Sequence, residues 1–308
     1  GHIRIFRSKK EVIRMSASAL APNLATDATD PATVVAFQGA PGAYSHLACR
    51  EALPEFAPLP CATFEDAFSA VRDGKAACAL IPIENSTAGR VADIHQLLPT
   101  GGLYITAEHF LRVRHQLLAP KSATVKSIKR VYSHVQALSQ CRRLIKDLGI
   151  EPVVSSDTAG SAKDVAERNN PEEAAIASAI AGELYGLQIL RADIEDNHTN
   201  TTRFIKLERQ RRDPDPNKGG CITAIMFKVR SVPAALYKAL GGFATNGVNV
   251  IKLESYLTDG FKVAEFYAEI DGHPAQRHVD LALQELEYFS RSLKVLGVFS
   301  AHSFRSEA

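Results

Sequence analysis

Between residues 33 and 208, short apolar runs alternate with amphipathic ones. Val34–Phe37 reads as a strand, and "GAPGAYS" from Gly39 turns it into a helix through Arg50 and Leu53. Thr63 opens "TFEDAFSAVRDGK", where Phe64, Ala67, Phe68 and Val71 recur at helical spacing and Gly74 is a stop. "ACALIPIEN" (77–85) is almost continuously apolar, as a strand buried on both faces would be. "GLYITAEHFLRVRHQLLAP" (102–120) supplies two more strands. A second unit starts near 120, with strands at "KRVYSH", "EPVVSS" and "EAAIAS" and helices at "VQALSQCRRLIKDL", "TAGSAKDVAER" and "AIAGELYG". Residues 188–208 offer a strand pair that could return to the first unit. Repeated βα units predict a parallel or mixed sheet flanked by helices. The expected architecture is α/β: two lobes with a cleft between them, as in periplasmic-binding-protein-like folds, over 32–208, the second lobe spanning about 115–188.

The pattern changes beyond "RQRRDPDPNKGG" (209–220), whose charges, prolines and Gly-Gly mark a linker. "CITAIMFKV" is a strand, "PAALYKALGGFAT" a helix with Pro in its first turn, and Asn246-Gly247 its stop. "VNVIKLESYL" and "FKVAEFYAEI" form a hairpin around Thr258-Asp259-Gly260; "RHVDLALQELEYF" is an amphipathic helix and "LKVLGVF" a last strand. The order βαββαβ predicts a ferredoxin-like domain over 221–300.

Composition narrows the function. The chain has 308 residues, a net charge of +2 and a 45% hydrophobic fraction, which gives no support to nucleic-acid or membrane binding. Much of the basic excess lies in the first fourteen residues. Residues 1–31 lack an apolar run long enough for a signal peptide or membrane span, and are expected to be a disordered, tag or leader segment outside the fold. Five scattered cysteines without a C-x-x-C argue against a disulfide framework or zinc site and for a reducing cytoplasm.

Small polar residues follow the strands: "ENSTAGR" after "ALIPI", "SHVQ" after "RVY", "DTAGSA" after "PVVSS", and Ser178 after "AAIA". Individually they read as helix caps, with Ser133 and Gln136 as a capping box and Asp157 or Thr158 as an N-cap. Together they would gather at the carboxyl ends of the strands, where helix N-termini favour an anion. "DNHTNTTRF" (196–204) adds amides, hydroxyls and Arg203, which could grip a carboxylate through two parallel hydrogen bonds. The expected ligand is a small mono- or dicarboxylate. Glu84, Asp157, His134 and His198 are the available acids and bases, each also readable as structural. No metal-ligand spacing or nucleophile–base pair stands out, so the expected chemistry needs positioning and a hydrogen-bond donor, without metal or cofactor.

"GAPGAYSH" (39–46), "IPIENSTAGRV" (81–91), "YSHVQALSQC" (132–141) and "DNHTNTTRF", in this order and at similar intervals, resemble the prephenate dehydratases, and 222–300 looks like their ACT regulatory domain. The resemblance covers about 33–300. It implies a cytoplasmic enzyme that converts prephenate to phenylpyruvate in phenylalanine biosynthesis, releasing carbon dioxide and water. Carried over by motif, Thr202 is the catalytic hydroxyl, oriented by Asn200. Arg203 would anchor a carboxylate, and Phe204 would pack on the ring or support the strand. Asn85, Ser86 and Gly89 would line the first lobe; Ser133, His134, Gln136, Thr158 and Ser178 the second. Phenylalanine, as feedback effector, would meet Ala234, Ala235, Leu236, Asn249, Glu254 and Ser255 at an interface between chains, implying a homodimer or homotetramer. The family's G-A-L-V and E-S-R-P motifs are here Pro233-Ala-Ala-Leu236 and Glu254-Ser-Tyr-Leu257, which weakens the inference about phenylalanine. Two rivals remain: an arogenate dehydratase, which would form phenylalanine directly, and a non-catalytic two-lobed solute-binding module with an amino-acid sensor.

Overall fold

The structure, a computed structural model, describes residues 24–230, 232–258 and 263–307. Most of the expected leader and the turn at 259–262 lie outside the described residues.

The first lobe opens with β1 (Val34–Gln38), α1 (Tyr44–Ala52), β2 (Ala57–Cys61), α2 (Phe64–Arg72) and β3 (Cys78–Asn85). A capping box between Thr63 and Asp66 starts α2, and the helix buries Ala67, Phe68, Ala70 and Val71 against the sheet. β1 is parallel to both β2 and β3, as βα units require. A short β4 (Gly89–Arg90) turns back on the end of β3, α3 (Ala92–Leu97) follows, and β5 (Tyr104–Arg112) completes this pass.

The chain then crosses into the second lobe: β6 (Gln116–Ala119), β7 (Arg130–Ser133), α4 (Val135–Gln140), α5 (Arg142–Leu148), β8 (Glu151–Val154), α6 (Thr158–Arg168), β9 (Glu173–Ala177), α7 (Ala179–Tyr185) and β10 (Gln188–Arg191). Its sheet has the order β10-β6-β9-β7-β8. It crosses back to β11 (Thr201–Glu208), which enters the first sheet antiparallel between β3 and β5. The two crossovers lie side by side: Val113 N–H donates to Asn200 O (2.9 Å), and Ile194 N–H to His115 O (2.9 Å). Two sheets joined by a paired crossing form the expected two-lobed, periplasmic-binding-protein-like arrangement.

Two expectations need correction. Of the strand pair at 188–208, only β11 returns to the first lobe; β10 stays in the second, paired with β6. The single helix expected over 135–148 is two, broken at Cys141. Asp196 causes the break: its N–H binds Gln140 O at 2.6 Å and its carboxylate accepts from Arg143 N–H at 3.2 Å. A segment more than fifty residues away thereby ties the backbone on both sides of Cys141.

Residues 209–220 contain no helix or strand. The last unit runs β12 (Cys221–Val229), α8 (Ala235–Thr245), β13 (Val250–Thr258), β14 (Val263–Asp271), α9 (Arg277–Phe289) and β15 (Ser290–Ser300), the expected βαββαβ order. α8 starts two residues after Pro233, behind Ala234 in a left-handed conformation, so the proline precedes the helix instead of opening it. α8 and α9 cover one sheet face through Ala239, Phe243, Val279, Ala282 and Leu286. The other face meets the first lobe: Met226, Tyr267, Leu296 and Phe299 share a core with Ile83, Ile94 and Ile205. β15 also pairs with β5, so one sheet of order β13-β14-β12-β15-β5-β11-β3-β1-β2 runs through both units. A final turn, α10 (Phe304–Glu307), stacks Phe304 on Phe110 of β5.

Candidate active site

A cleft of about 520 Å³ lies between the lobes, lined by Tyr44, Asn85, Ala88, Gly89, Arg90, Val91, Val113, His115, His134, Gln136, Ala137, Gln140, Asp157, Thr158, Asn200 and Thr202. Each segment arrives for a local reason. β3 and β11 are neighbours, and their register sets Asn85 opposite Thr202. Asp157 caps α6 by accepting from Gly160 N–H at 2.6 Å, bringing the N-terminus of an eleven-residue helix to the cleft wall. His134, rather than Ser133, caps α4: its Nδ1 accepts from Gln136 N–H at 3.3 Å.

At the centre, Asn85 is fixed by its own loop. The N–H groups of Thr87 and Ala88 both donate to Asn85 Oδ1 at 2.8 Å. The amide nitrogen therefore faces the other way, donating to Asn200 Oδ1 at 2.9 Å and Thr202 Oγ1 at 2.8 Å. Because Thr202 Oγ1 accepts from Asn85, its own proton is free for the cleft.

Of the twelve residues expected at the site, Thr202, Asn85, Gly89, His134, Gln136, Thr158 and Asn200 line the cleft. Five do not. Ser86 Oγ accepts from Thr201 N–H (2.9 Å) and so ties the loop after β3 to the start of β11. Ser133 Oγ donates to Ile176 O at 2.6 Å, and Ser178 Oγ to Gly42 O at 2.7 Å; both are buried and satisfied. Phe204 is buried in the first lobe's core with Val35, Phe37, Cys49 and Leu80, so of its two expected roles the geometry favours supporting the strand.

Arg203 requires the largest revision. Successive residues of a strand face opposite ways, so a Thr202 side chain in the cleft sends Arg203 behind the sheet. There it is 3% exposed and donates to Glu108 (2.8 Å), Glu84 (3.0 Å) and Glu269 (2.8 Å). Burial alone would lower its pKa; the charges of Glu269 and Glu108 and the hydrogen bond to Glu269 raise it instead. Glu84 is likewise engaged, pairing with Lys252 as well as Arg203. His198 is well exposed beside Glu195 and outside the cleft lining.

The expectations missed Tyr44, Arg90, His115 and Gln140. Tyr44 and Arg90 lie inside the singled-out motifs "GAPGAYS" and "ENSTAGR" and Gln140 inside "SHVQALSQC"; His115, at a lobe crossing, carried no such signal. Among the described residues, Arg90 is the only lysine or arginine lining the cleft. Its guanidinium donates to Ser255 O at 3.1 Å and lies 4.5 Å above the Tyr256 ring, both on β13. No group of three or more His, Cys, Asp or Glu side chains among the described residues is gathered to hold a metal ion.

The residues expected at the effector site do not converge within one chain. Ala235 and Leu236 pack in the α8 side of the domain, and Asn249 donates to Asp271 at 2.8 Å. Ser255 is exposed, whereas Glu254, one strand position earlier, faces the first lobe, 3.4 Å from His95. No described helix is long and apolar enough to cross a membrane.

The sequence profile of the prephenate dehydratase family matches residues 35–212. A Komagataeibacter europaeus protein named bifunctional N-acyl-homoserine lactone acylase/prephenate dehydratase is 48% identical over 88% of this chain and 97% of its own length. An Arabidopsis thaliana protein named arogenate dehydratase/prephenate dehydratase 2, chloroplastic, is 38% identical over 86% of this chain and 72% of its own. The crystal structure of an Arthrobacter aurescens prephenate dehydratase in complex with L-Phe superposes with a TM-score of 0.79 at 31% identity, covering 87% of this chain and 90% of that one.

Proposed function

The chain belongs to the prephenate dehydratase family of lyases, and from that premise we propose that it converts prephenate to phenylpyruvate with Thr202 as the donor to the departing hydroxyl. The enzyme family removes the solute-binding module from contention. In the reaction, the C–C bond to the ring carboxylate breaks and its electron pair moves through the diene. The C–O bond at the 4-position then breaks, and the hydroxyl leaves with the pair. Carbon dioxide and an aromatic ring result, and the departing hydroxide becomes water by taking a proton from the solvent. Aromatisation drives the step, so the protein must hold a dianion and stabilise the departing oxygen.

The observation that carries the reading is the polarity at Thr202. Its oxygen already accepts from Asn85 and its proton is free for the cleft, so it is set to donate to an anionic oxygen bound there. A threonine hydroxyl is too weak an acid to surrender its proton outright; hydrogen bonding to the developing charge is its contribution. Arg90 and the N-terminus of α6 supply the positive potential for the carboxylates, the part first expected of Arg203.

The test follows phenylpyruvate formation at mildly alkaline pH, against an enzyme-free control because acid alone aromatises prephenate. Thr202→Ala should lower kcat roughly 10²–10³-fold, and Thr202→Ser should recover much of it. Turnover of Thr202→Ala within a few-fold of the parent would remove Thr202 from the mechanism. Arogenate is run in parallel, since a relative is named for both substrates. N-acyl-homoserine lactone is a third arm, favoured by the 48% identity to a relative named as an acylase as well. Phenylalanine is added to each. The βαββαβ unit and the L-Phe complex of a relative support the reading that residues 221–300 are an ACT domain binding phenylalanine and lower turnover in response.

A further inference from the structure

A line of hydrogen bonds leads from Thr202 through five more side chains. Tyr44 Oη is 2.5 Å from His115 Nδ1, and His115 Nε2 is 2.7 Å from Gln140 Oε1. Asn200 Nδ2 donates to the same Gln140 oxygen at 3.2 Å, and Asn85 bonds both Asn200 and Thr202. Amide orientations and imidazole tautomers are ordinarily a matter of assignment. Here one end of the line is pinned by two backbone N–H groups, those of Thr87 and Ala88, which can only donate.

The polarity then propagates link by link. Asn85 turns its oxygen to those N–H groups, so its nitrogen donates to Asn200 Oδ1. Asn200 must therefore present its nitrogen to Gln140, whose Oε1 is an acceptor. A bare imidazole nitrogen cannot face that oxygen at 2.7 Å, so His115 carries a proton on Nε2. Burial, only partly opposed by the Gln140 bond and the Glu195 charge, lowers the pKa of His115 and keeps the ring neutral. Its Nδ1 is then unprotonated, and the Tyr44 hydroxyl must donate to it. Glu195, the charged group facing His115, accepts from its backbone N–H at 2.9 Å.

With Gln140 Oε1 accepting twice, its NH₂ group is left over. Among the described residues it has no protein partner, and Gln140 lines the cleft. We infer that Tyr44 and His115 are positioning residues that lock the Gln140 amide nitrogen toward the cleft, making it a second hydrogen-bond donor to the anionic substrate beside Thr202. This rests on the dehydratase reading for what Gln140 does, but not for how it is held. Cutting the line at Tyr44 removes one of the two restraints on the Nε2–H tautomer, the donor to Nδ1, and leaves the Asn85–Asn200 end to hold it alone. The alternative tautomer would turn a bare nitrogen to Gln140, and the amide would flip to present oxygen to a carboxylate-bearing ligand.

Two measurements test the inference. Long-range ¹H–¹⁵N spectra of the wild-type protein at neutral pH should show His115 neutral with its proton on Nε2; a proton on Nδ1, or on both nitrogens, overturns the proposal whatever the substrate proves to be. Kinetically, Gln140→Ala should lower kcat on prephenate roughly 10²-fold or more, and Tyr44→Phe by about tenfold with KM within twofold, less than the ~10² that a 1 Å misplacement can cost. In the Gln140→Ala background, Tyr44→Phe should add nothing further, because its effect runs through Gln140. A full additional loss in the double variant would make Tyr44 merely structural. Wild-type protein inert toward prephenate would sink the functional reading while leaving the tautomer result to stand or fall alone.

Discussion

Arg203 is held by Glu84, Glu108 and Glu269 on three different strands, and Arg305 closes over the same Glu108 at 2.7 Å. Removing the one fully enclosed cation would leave buried carboxylates facing each other. Arg203→Met should therefore cost about 3–5 kcal/mol, read as a lower urea midpoint. A carboxylate anchor would instead show a raised KM at unchanged stability. Acid should find the same cluster. Burial alone would raise the pKa values of Glu84 and Glu108, but the hydrogen bonds and charges of Lys252 and Arg203 at Glu84, and of Arg305 and Arg203 at Glu108, lower both below 4.5. Groups lowered in the folded state contribute stability above their unfolded pKa and lose it as pH falls through the folded value, so the contribution of Glu84 and Glu108 should disappear only below about pH 4.5. The contrast between Thr202 and Arg203 shows what could be read from residues alone. That adjacent strand positions cannot share a face was legible in "NTTRF"; which face held the cleft was not, because it depends on a lobe crossing and a domain far along the chain. Gln140, likewise, was in a singled-out motif, but its partner His115 acquires meaning only when the two crossovers are laid side by side.

At the scale of elements, periodicity served well where the sheet or helix is decided locally: β12 and α9 fall where the pattern set them. It failed where a distant segment decides, as at the Asp196-induced break at Cys141 and at the union of β15 with β5. That union has a sequence requirement. A β-carbon built on Gly297 would collide with the backbone carbonyl of its partner Ile105, not with a side chain that could move. Alanine is otherwise acceptable in a strand, so Gly297→Ala isolates the close approach. The strands must part, and overpacking of this kind costs about 1–3 kcal/mol. The expected result is a lowered denaturation midpoint, with the loss largest in amide protection along β15 and β5. An unchanged midpoint would mean that the two strands can separate freely and that the joint sheet is incidental.

Over the whole molecule, the cleft is tied to the βαββαβ unit by the residues next to those that would do chemistry. Glu84, beside Asn85, pairs with Lys252 of β13; Arg203, beside Thr202, pairs with Glu269 of β14; and Arg90, in the cleft lining, bonds Ser255 O and covers Tyr256. A ligand that favours one setting of β13 and β14 can bias the cleft only through such differential contacts, and the cleft's occupant must bias them in return. Arg90 is the most direct of the three because a residue of the cleft lining itself reaches β13. Held over Tyr256 it is restrained; released, it can close on a substrate carboxylate. Tyr256→Leu removes the ring from beneath Arg90 without altering a cleft residue. If the tie is used, the variant should keep kcat within about twofold while its half-inhibiting phenylalanine concentration shifts several-fold, corresponding to roughly 1 kcal/mol of coupling. The substrate's KM measured with and without phenylalanine should lose the same factor, since equilibrium coupling is reciprocal. An unchanged phenylalanine response at unchanged turnover would make the Arg90–β13 contact structural, leaving the two ion pairs, the shared core and the β15–β5 joint to connect the domains.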